Sequence, residues 1–233
     1  MKPIFLLGTN FLRSQLLLIA IVLAYIICLT GFLAFHVQLP DLLFFVRQQA
    51  VYAVALGAMV MVPALQNERK SRRIMGVLSK GIHRWQYLGG LLCGAVLVAG
   101  IFCLAVGLAA LWLGQQGSVP VAGLMKLMLV LFLASAAGAA VALFCSVFLH
   151  PLLAVVATSL ILFFPYVAQV RSWHLPNQLF PVFAAIQAAV SFTFQRPARG
   201  LLLIGISAVI QTIVFWIAAS IIFARRDVAI ASE

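Results

Sequence analysis

Asp41, Glu68, Asp227 and Glu233 are the only carboxylate side chains in this chain, and their spacing bounds the chemistry it can do. Two-carboxylate hydrolysis or glycosyl transfer needs a pair of acids flanking one bond, roughly 5–10 Å apart. These four lie at the ends of apolar runs, in a loop or in the tail. A proton- or sodium-coupled carrier needs an ionisable relay within the membrane, and no acid falls mid-run. His36, His83, His150 and His174 are isolated. They form no HExxH and no pair at i, i+4, and no carboxylate stands close enough to orient them for a metal. Cys28, Cys93, Cys103 and Cys145 all fall inside apolar runs without a CxxC pair, which reads as small core residues. There is no GxSxG elbow and no GxxxxGK[ST] loop, so the chain is not expected to bind ATP in the P-loop manner. Chemistry belongs elsewhere: no catalytic residue, no metal and no cofactor is expected in this chain, and any energy for uphill work must come from another polypeptide.

One stretch gathers the charge. "NERKSRRIMGVLSKGIHRWQYLGG", residues Asn67 to Gly90, holds Glu68, Arg69, Lys70, Arg72, Arg73, Lys80 and Arg84. At about 100° per residue, Ile74, Val77, Leu78, Ile82 and Trp85 share one face, with Arg69, Arg73, Lys80 and Arg84 opposite. Gly81 is expected to break that helix. Two readings stay open on the residues alone. The stretch fixes orientation and meets anionic headgroups, or a cytoplasmic partner grips it.

The elements around it are membrane spans. The 233 residues are 65% hydrophobic and 8% charged, with a mean hydropathy of +1.19; a soluble domain carries about 25% charged residues. Long apolar runs favour helices over a barrel, whose segments are about ten residues of alternating polarity. The net charge of +11 reads as loops on the anionic side of a bilayer rather than a nucleic-acid surface. No A-x-A-like site closes the first apolar run, so no cleaved signal peptide is expected.

Six spans are predicted, approximately Leu16–Phe35, Phe44–Leu65, Tyr87–Leu113, Leu124–Leu149, Leu152–Val170 and Leu201–Ala224. Arg47, Gln48 and Gln49 interrupt the start of the second. Met1–Ser14 is a short amphipathic lead-in suited to the interface. Between Arg171 and Arg199, the apolar run Leu179–Phe194 is bracketed by Pro176, Pro181 and Pro197, too short for a span and suited to a re-entrant element. With six spans and both termini inside, ten basic residues face the cytoplasm against Arg47, Lys126, Arg171, Arg196 and Arg199 outside, as the positive-inside rule requires. A seventh span would move Arg225 and Arg226 outside. Gly90 and Gly94 make a GxxxG, followed by Gly100 and Gly107, and Ala134–Ala140 with Gly138 is an all-small patch. Such patches serve close helix packing, either within one subunit or at a dimer seam.

Glu68, the run Leu78-Ser79-Lys80-Gly81-Ile82, then Arg84-Trp85, Leu88 and Gly90 resemble the first cytoplasmic loop of ABC-2 type transporter permeases. The chain has Arg72-Arg73 where the family has Gly-Thr, Gly81 for its Pro and Leu91 for its Lys. The resemblance implies an all-α integral membrane fold forming one transmembrane domain over 1–233. Its parts are an interfacial helix over 1–14, a cytoplasmic coupling loop over 66–86 between spans two and three, and an outer re-entrant segment over 171–199 before span six. It implies that Glu68, Arg72, Arg73, Ile74, Val77, Leu78, Ser79, Lys80, Ile82, Arg84 and Trp85 engage a separate ABC ATPase subunit, which holds ATP and magnesium. It further implies a second permease, identical or homologous, around a path for export, in the cytoplasmic membrane of a bacterium or archaeon among its lipids, with no nucleic acid involved. The absence of mid-span charge and the eighteen Phe favour a lipidic or amphipathic substrate. The rival readings are a membrane anchor or assembly subunit, and a channel or scramblase.

Overall fold

The computed structural model describes residues 2–35, 39–70, 83–114, 121–170, 180–192 and 200–225. Within them the chain forms eight helices and no strand: α1 (Lys2–Ser14), α2 (Leu16–Ala34), α3 (Leu39–Lys70), α4 (Arg84–Gly114), α5 (Val121–Phe148), α6 (Pro151–Val170), α7 (Pro181–Val190) and α8 (Leu201–Arg225). Lipid offers the backbone no hydrogen-bond partners, so uninterrupted apolar runs must close their own bonds as helices. The breaks fall where the sequence stops that pattern. Pro151 opens α6 and Pro181 opens α7, positions where a missing N–H costs little. Gly200, at φ 82°, turns the chain into α8, a backbone conformation that other residues adopt poorly.

Among the described residues, five helices are long and apolar enough to cross a membrane: α2, α3 over Asp41–Gln66, α4, α5 and α8. In α6, Pro151–Val167 forms a shorter apolar helix. The helices run past the expected spans: α3 continues beyond Leu65 to Lys70, although its apolar span ends at Gln66, and α4 starts at Arg84, ahead of Tyr87. Gln, Glu, Arg and Lys are good helix formers, so a helix need not end where its apolar run does.

α5 is the centre of the bundle. It is the most buried span, and its residues Ala134 to Leu143 are all buried. Packing around it falls into two clusters along its length. Leu124, Leu127, Leu131 and Ala137 join Phe45, Phe102, Val182 and Phe192 in one. Ala140, Leu143 and Cys145 join Met61, Leu65, Tyr87, Leu88 and Phe223 in the other. The first cluster holds the buried face of α7 (Val182, Ala185, Ala188 and Ala189). The second holds the ends of α3, α4 and α8 nearest the charged stretch. α2 buries only Ile19, Ile26 and Thr30, and α8 leaves a row of isoleucines exposed.

Candidate functional site

The charged stretch enters the bundle through Arg84, and its last residues are fastened to the far end of the chain. Arg84 donates from Nη1 to the Ala224 carbonyl at 2.8 Å and to the Phe223 carbonyl at 3.3 Å. The last carbonyls of a helix have no partner of their own and carry its negative dipole end, so a guanidinium there makes charge-assisted bonds. Trp85 meets Trp216 edge-to-face at 6.0 Å, and Tyr87, 1% exposed, stacks on Phe223 at 6.5 Å. Gly89 faces the Trp216 ring, which a Cβ there would meet at 3.4 Å in ordinary contact. Arg84, Trp85 and Tyr87 thus clamp the start of α4 to the second half of α8.

Between the two ends lies a groove of about 850 Å³, lined by His83, Arg84 and Trp85 from α4 and its approach, and by Trp216, Ile217 and Ile221 from α8, among others. No acid lines it. The Trp216 indole N–H is buried and has no acceptor among the described residues.

Of the residues expected to engage an ATPase, Arg84 and Trp85 are the two whose side chains the structure describes. Glu68 lies in the last turn of α3. Arg72, Arg73, Ile74, Val77, Leu78, Ser79, Lys80 and Ile82 lie outside the described residues, as does the central part of the amphipathic projection.

The glycines singled out on α4 and α5 face other helices of the chain. A Cβ on Gly90 would come 2.6 Å from Leu7 Cβ, and one on Gly94 would come 2.5 Å from Phe11 Cδ1 and 3.0 Å from the Gly8 carbonyl oxygen. The GxxxG pair is therefore the seat of α1, with Gly8 as its counterpart. Gly100 and Gly107 face Phe132 and Met128 of α5. Gly138 lies across from Val54, where a Cβ would find ordinary contact at 3.6 Å. The all-small patch on α5 is covered within this chain.

Sequence reasoning passed over several positions. Gly57 allows a close approach of α3 to α5, since a Cβ there would stand 2.5 Å from the Ser135 carbonyl oxygen. Ser135 Oγ donates to the Ala53 carbonyl at 2.8 Å beside it. Gln49, read only as an interruption of the second span, is 1% exposed. Trp216, Phe223 and the carbonyl of Ala224 carried no local signal, because they meet the α4 start across about 140 residues.

Taken together, the described residues form a strand-free array of helices around a buried central span, and five of those helices are long and apolar enough to cross a bilayer, which defines a multi-pass α-helical membrane protein. No protein-family model matches the chain, and no curated protein matches it significantly.

Proposed function

We propose that this chain is the membrane-spanning permease subunit of an ATP-driven ABC-2 type transporter. In this reading the 66–86 loop seats in a separate ATPase subunit, Leu78 and Ile82 are its apolar anchors, and its basic residues pair with acids on the partner. Binding and hydrolysis of ATP with magnesium occur on that partner. A second permease, identical or homologous, completes the path, and export of a lipidic or amphipathic substrate fits spans without mid-membrane charge.

The observation that carries the reading is the clamp at Arg84. A loop that only fixed orientation would need no fixed joint at its end. Here the residue that leaves the loop holds the last turn of α8, so displacement of the loop moves α4 and α8 together. The sparsely buried flanks of α2 and α8 leave surface for a second permease.

Parity supports six spans. The start of α4 and the end of α8 lie together, so the chain crosses an even number of times between them. α7, about 15 Å long at 1.5 Å per residue, is too short to cross about 30 Å of hydrocarbon. α4, α5 and α8 make three crossings, and α6 supplies the fourth. α7 is then the re-entrant element, at the end of the bundle away from the charged stretch, and ten basic residues fall on the cytoplasmic side.

The test is purification of the full chain from its native membrane with its bound subunits. ATP hydrolysis should co-elute with the wild type, and Leu78→Asp with Ile82→Asp should remove both the ATPase and its activity while the permease still inserts. An intact, active complex in the double variant would overturn the coupling role. A permease that never carries an ATPase would favour the anchor or channel readings.

A further inference from the structure

The first part of α3 carries polar atoms that its packing does not satisfy. Gln49 is 1% exposed, and neither its amide nitrogen nor its amide oxygen has a hydrogen-bond partner among the described residues. Two residues earlier, Arg47 keeps its Nε buried in the same condition. Other buried polar side chains find acceptors inside the bundle. Thr30 donates to the Ile26 carbonyl at 2.6 Å, Ser135 to that of Ala53 at 2.8 Å and Ser146 to that of Ala142 at 2.7 Å. The neighbours of Gln49 on its side of α3, Phe45, Val46, Ala50 and Ala53, all belong to an apolar cluster. A buried amide without a partner costs more than an apolar side chain of equal length in its place. Gln49 therefore weakens this arrangement of α3, and its amide is satisfied only where α3 sits differently.

The part of α3 that can yield is bounded. Gln49 lies about 15 Å from the start of the helix at Leu39, at 1.5 Å per residue. Beyond it the helix is held. Ser135 Oγ bonds the Ala53 carbonyl, and a Cβ on Gly57 would stand 2.5 Å from the Ser135 carbonyl oxygen, so the two backbones cross closely here. Further on, Pro63 stands inside α3, and its missing N–H takes one bond out of the helical ladder. The helix thus has a tight crossing in its middle, unsatisfied polar groups before that crossing and a weak turn after it.

We propose that Leu39–Tyr52, the first part of α3, is a movable arm that parts from α5 about the crossing at Ala53 and Gly57. In the parted arrangement Arg47 and Gln49 meet water entering from the end of the bundle where α3 begins. Local opening of this kind draws on the least stable contacts of a fold, and the orphaned polar groups put that weakness before the crossing. The weak turn at Pro63 lets the arm move without carrying the end of α3 next to the charged stretch. An internal water held in the closed bundle is the opposite case, because it would make Gln49 a stabilising residue. The arm requires no ATPase and no transported substrate, so it stands or falls separately from the transport reading.

The experiment uses the full chain in lipid nanodiscs, with Cys28, Cys93, Cys103 and Cys145 replaced and one cysteine introduced at a time. Val46 and Leu65 are both fully buried, at 0% exposure, and lie on either side of the crossing. A small water-soluble methanethiosulfonate should modify Val46→Cys and leave Leu65→Cys unmodified over the same time. Gln49→Met keeps the length of the side chain and removes the amide. It should slow modification of Val46→Cys about tenfold, because labelling follows the open population. In the otherwise wild-type chain it should raise the melting midpoint by about 2–6 °C. A Val46→Cys that stays unmodified, or reacts equally fast with and without Gln49→Met, overturns the arm. Equal modification of Leu65→Cys would mean that the whole bundle opens, and overturns it as well. A lower or unchanged melting midpoint for Gln49→Met would mean that the amide is satisfied in the closed bundle, by an internal water or otherwise, and sinks the proposal too.

Discussion

At the scale of single residues, the glycines carry the sharpest constraints, and they differ from one another. Gly94 accepts α1 so closely that a methyl group would meet the Phe11 Cβ at 2.9 Å and the Gly8 carbonyl oxygen at 3.0 Å. Neither atom is the loose end of a side chain, so the helices must separate. Gly94→Ala should cost about 1–3 kcal/mol, the usual range for overpacking. Gly31, on α2, has nothing within 4 Å of its Cβ position. Gly31→Ala should be neutral or stabilising by up to about 1 kcal/mol through helix propensity. Melting of a fluorescent fusion in detergent separates the two, and equal midpoints would contradict the α1 seat. Gly57→Ala belongs with Gly94, because the atom it meets is the backbone oxygen of Ser135. Ser135→Ala removes only one hydrogen bond, which in membrane bundles averages about 0.6 kcal/mol. It should melt well above Gly57→Ala.

At the scale of elements, the joint between α4 and α8 makes the most specific prediction. Arg84→Ala leaves two helix-end carbonyls without their charged donor, and hydrogen bonds to charged groups contribute about 1.5–3 kcal/mol. The last turn of α8 should fray, with faster amide exchange at Ser220–Arg225 and little change at Leu203–Ser207. A uniform rise along α8 would mean that Arg84 supports the whole bundle rather than this end. The same joint shows why the sequence was legible only in part. Helix existence followed from unbroken apolar runs, and Leu179–Phe194 stood out through its flanking prolines. Helix ends were not given by the apolar runs, because Gln66–Lys70 and Arg84–Gln86 continue the helix in polar residues that favour it. The direction in which a small-residue patch faces was illegible, because GxxxG fits a helix of the same chain and a helix of another equally well. Gly90 and Gly94 turned out to face a counterpart, Gly8, that lies in the lead-in and has no spacing in common with them.

At the scale of the whole molecule, the sidedness of the helix ends is what a multi-pass membrane protein must get right, and the Arg84–Ala224 bond constrains it without any charge count. Residues 83 and 225 belong on one face of the membrane, and residue 121, at the start of α5, belongs on the other. The positive-inside rule reaches the same assignment independently, since Lys70, Arg84 and Arg225 all lie toward the former face. The check is single-cysteine labelling in a background with Cys28, Cys93, Cys103 and Cys145 replaced. His83→Cys and Arg225→Cys should react with a membrane-impermeant maleimide only in inside-out vesicles, and Val121→Cys only in intact cells. Labelling of positions 83 and 225 from opposite faces would require an odd number of crossings between them. Either α6 would then lie in the interface or α7 would be stretched across the bilayer, and both are incompatible with an Arg84 that grips the end of α8. Labelling of both from the outer face would keep the parity but invert the protein. The charged stretch would then be beyond reach of any ATPase, so this one measurement separates the architecture of the chain from the partner proposed for it.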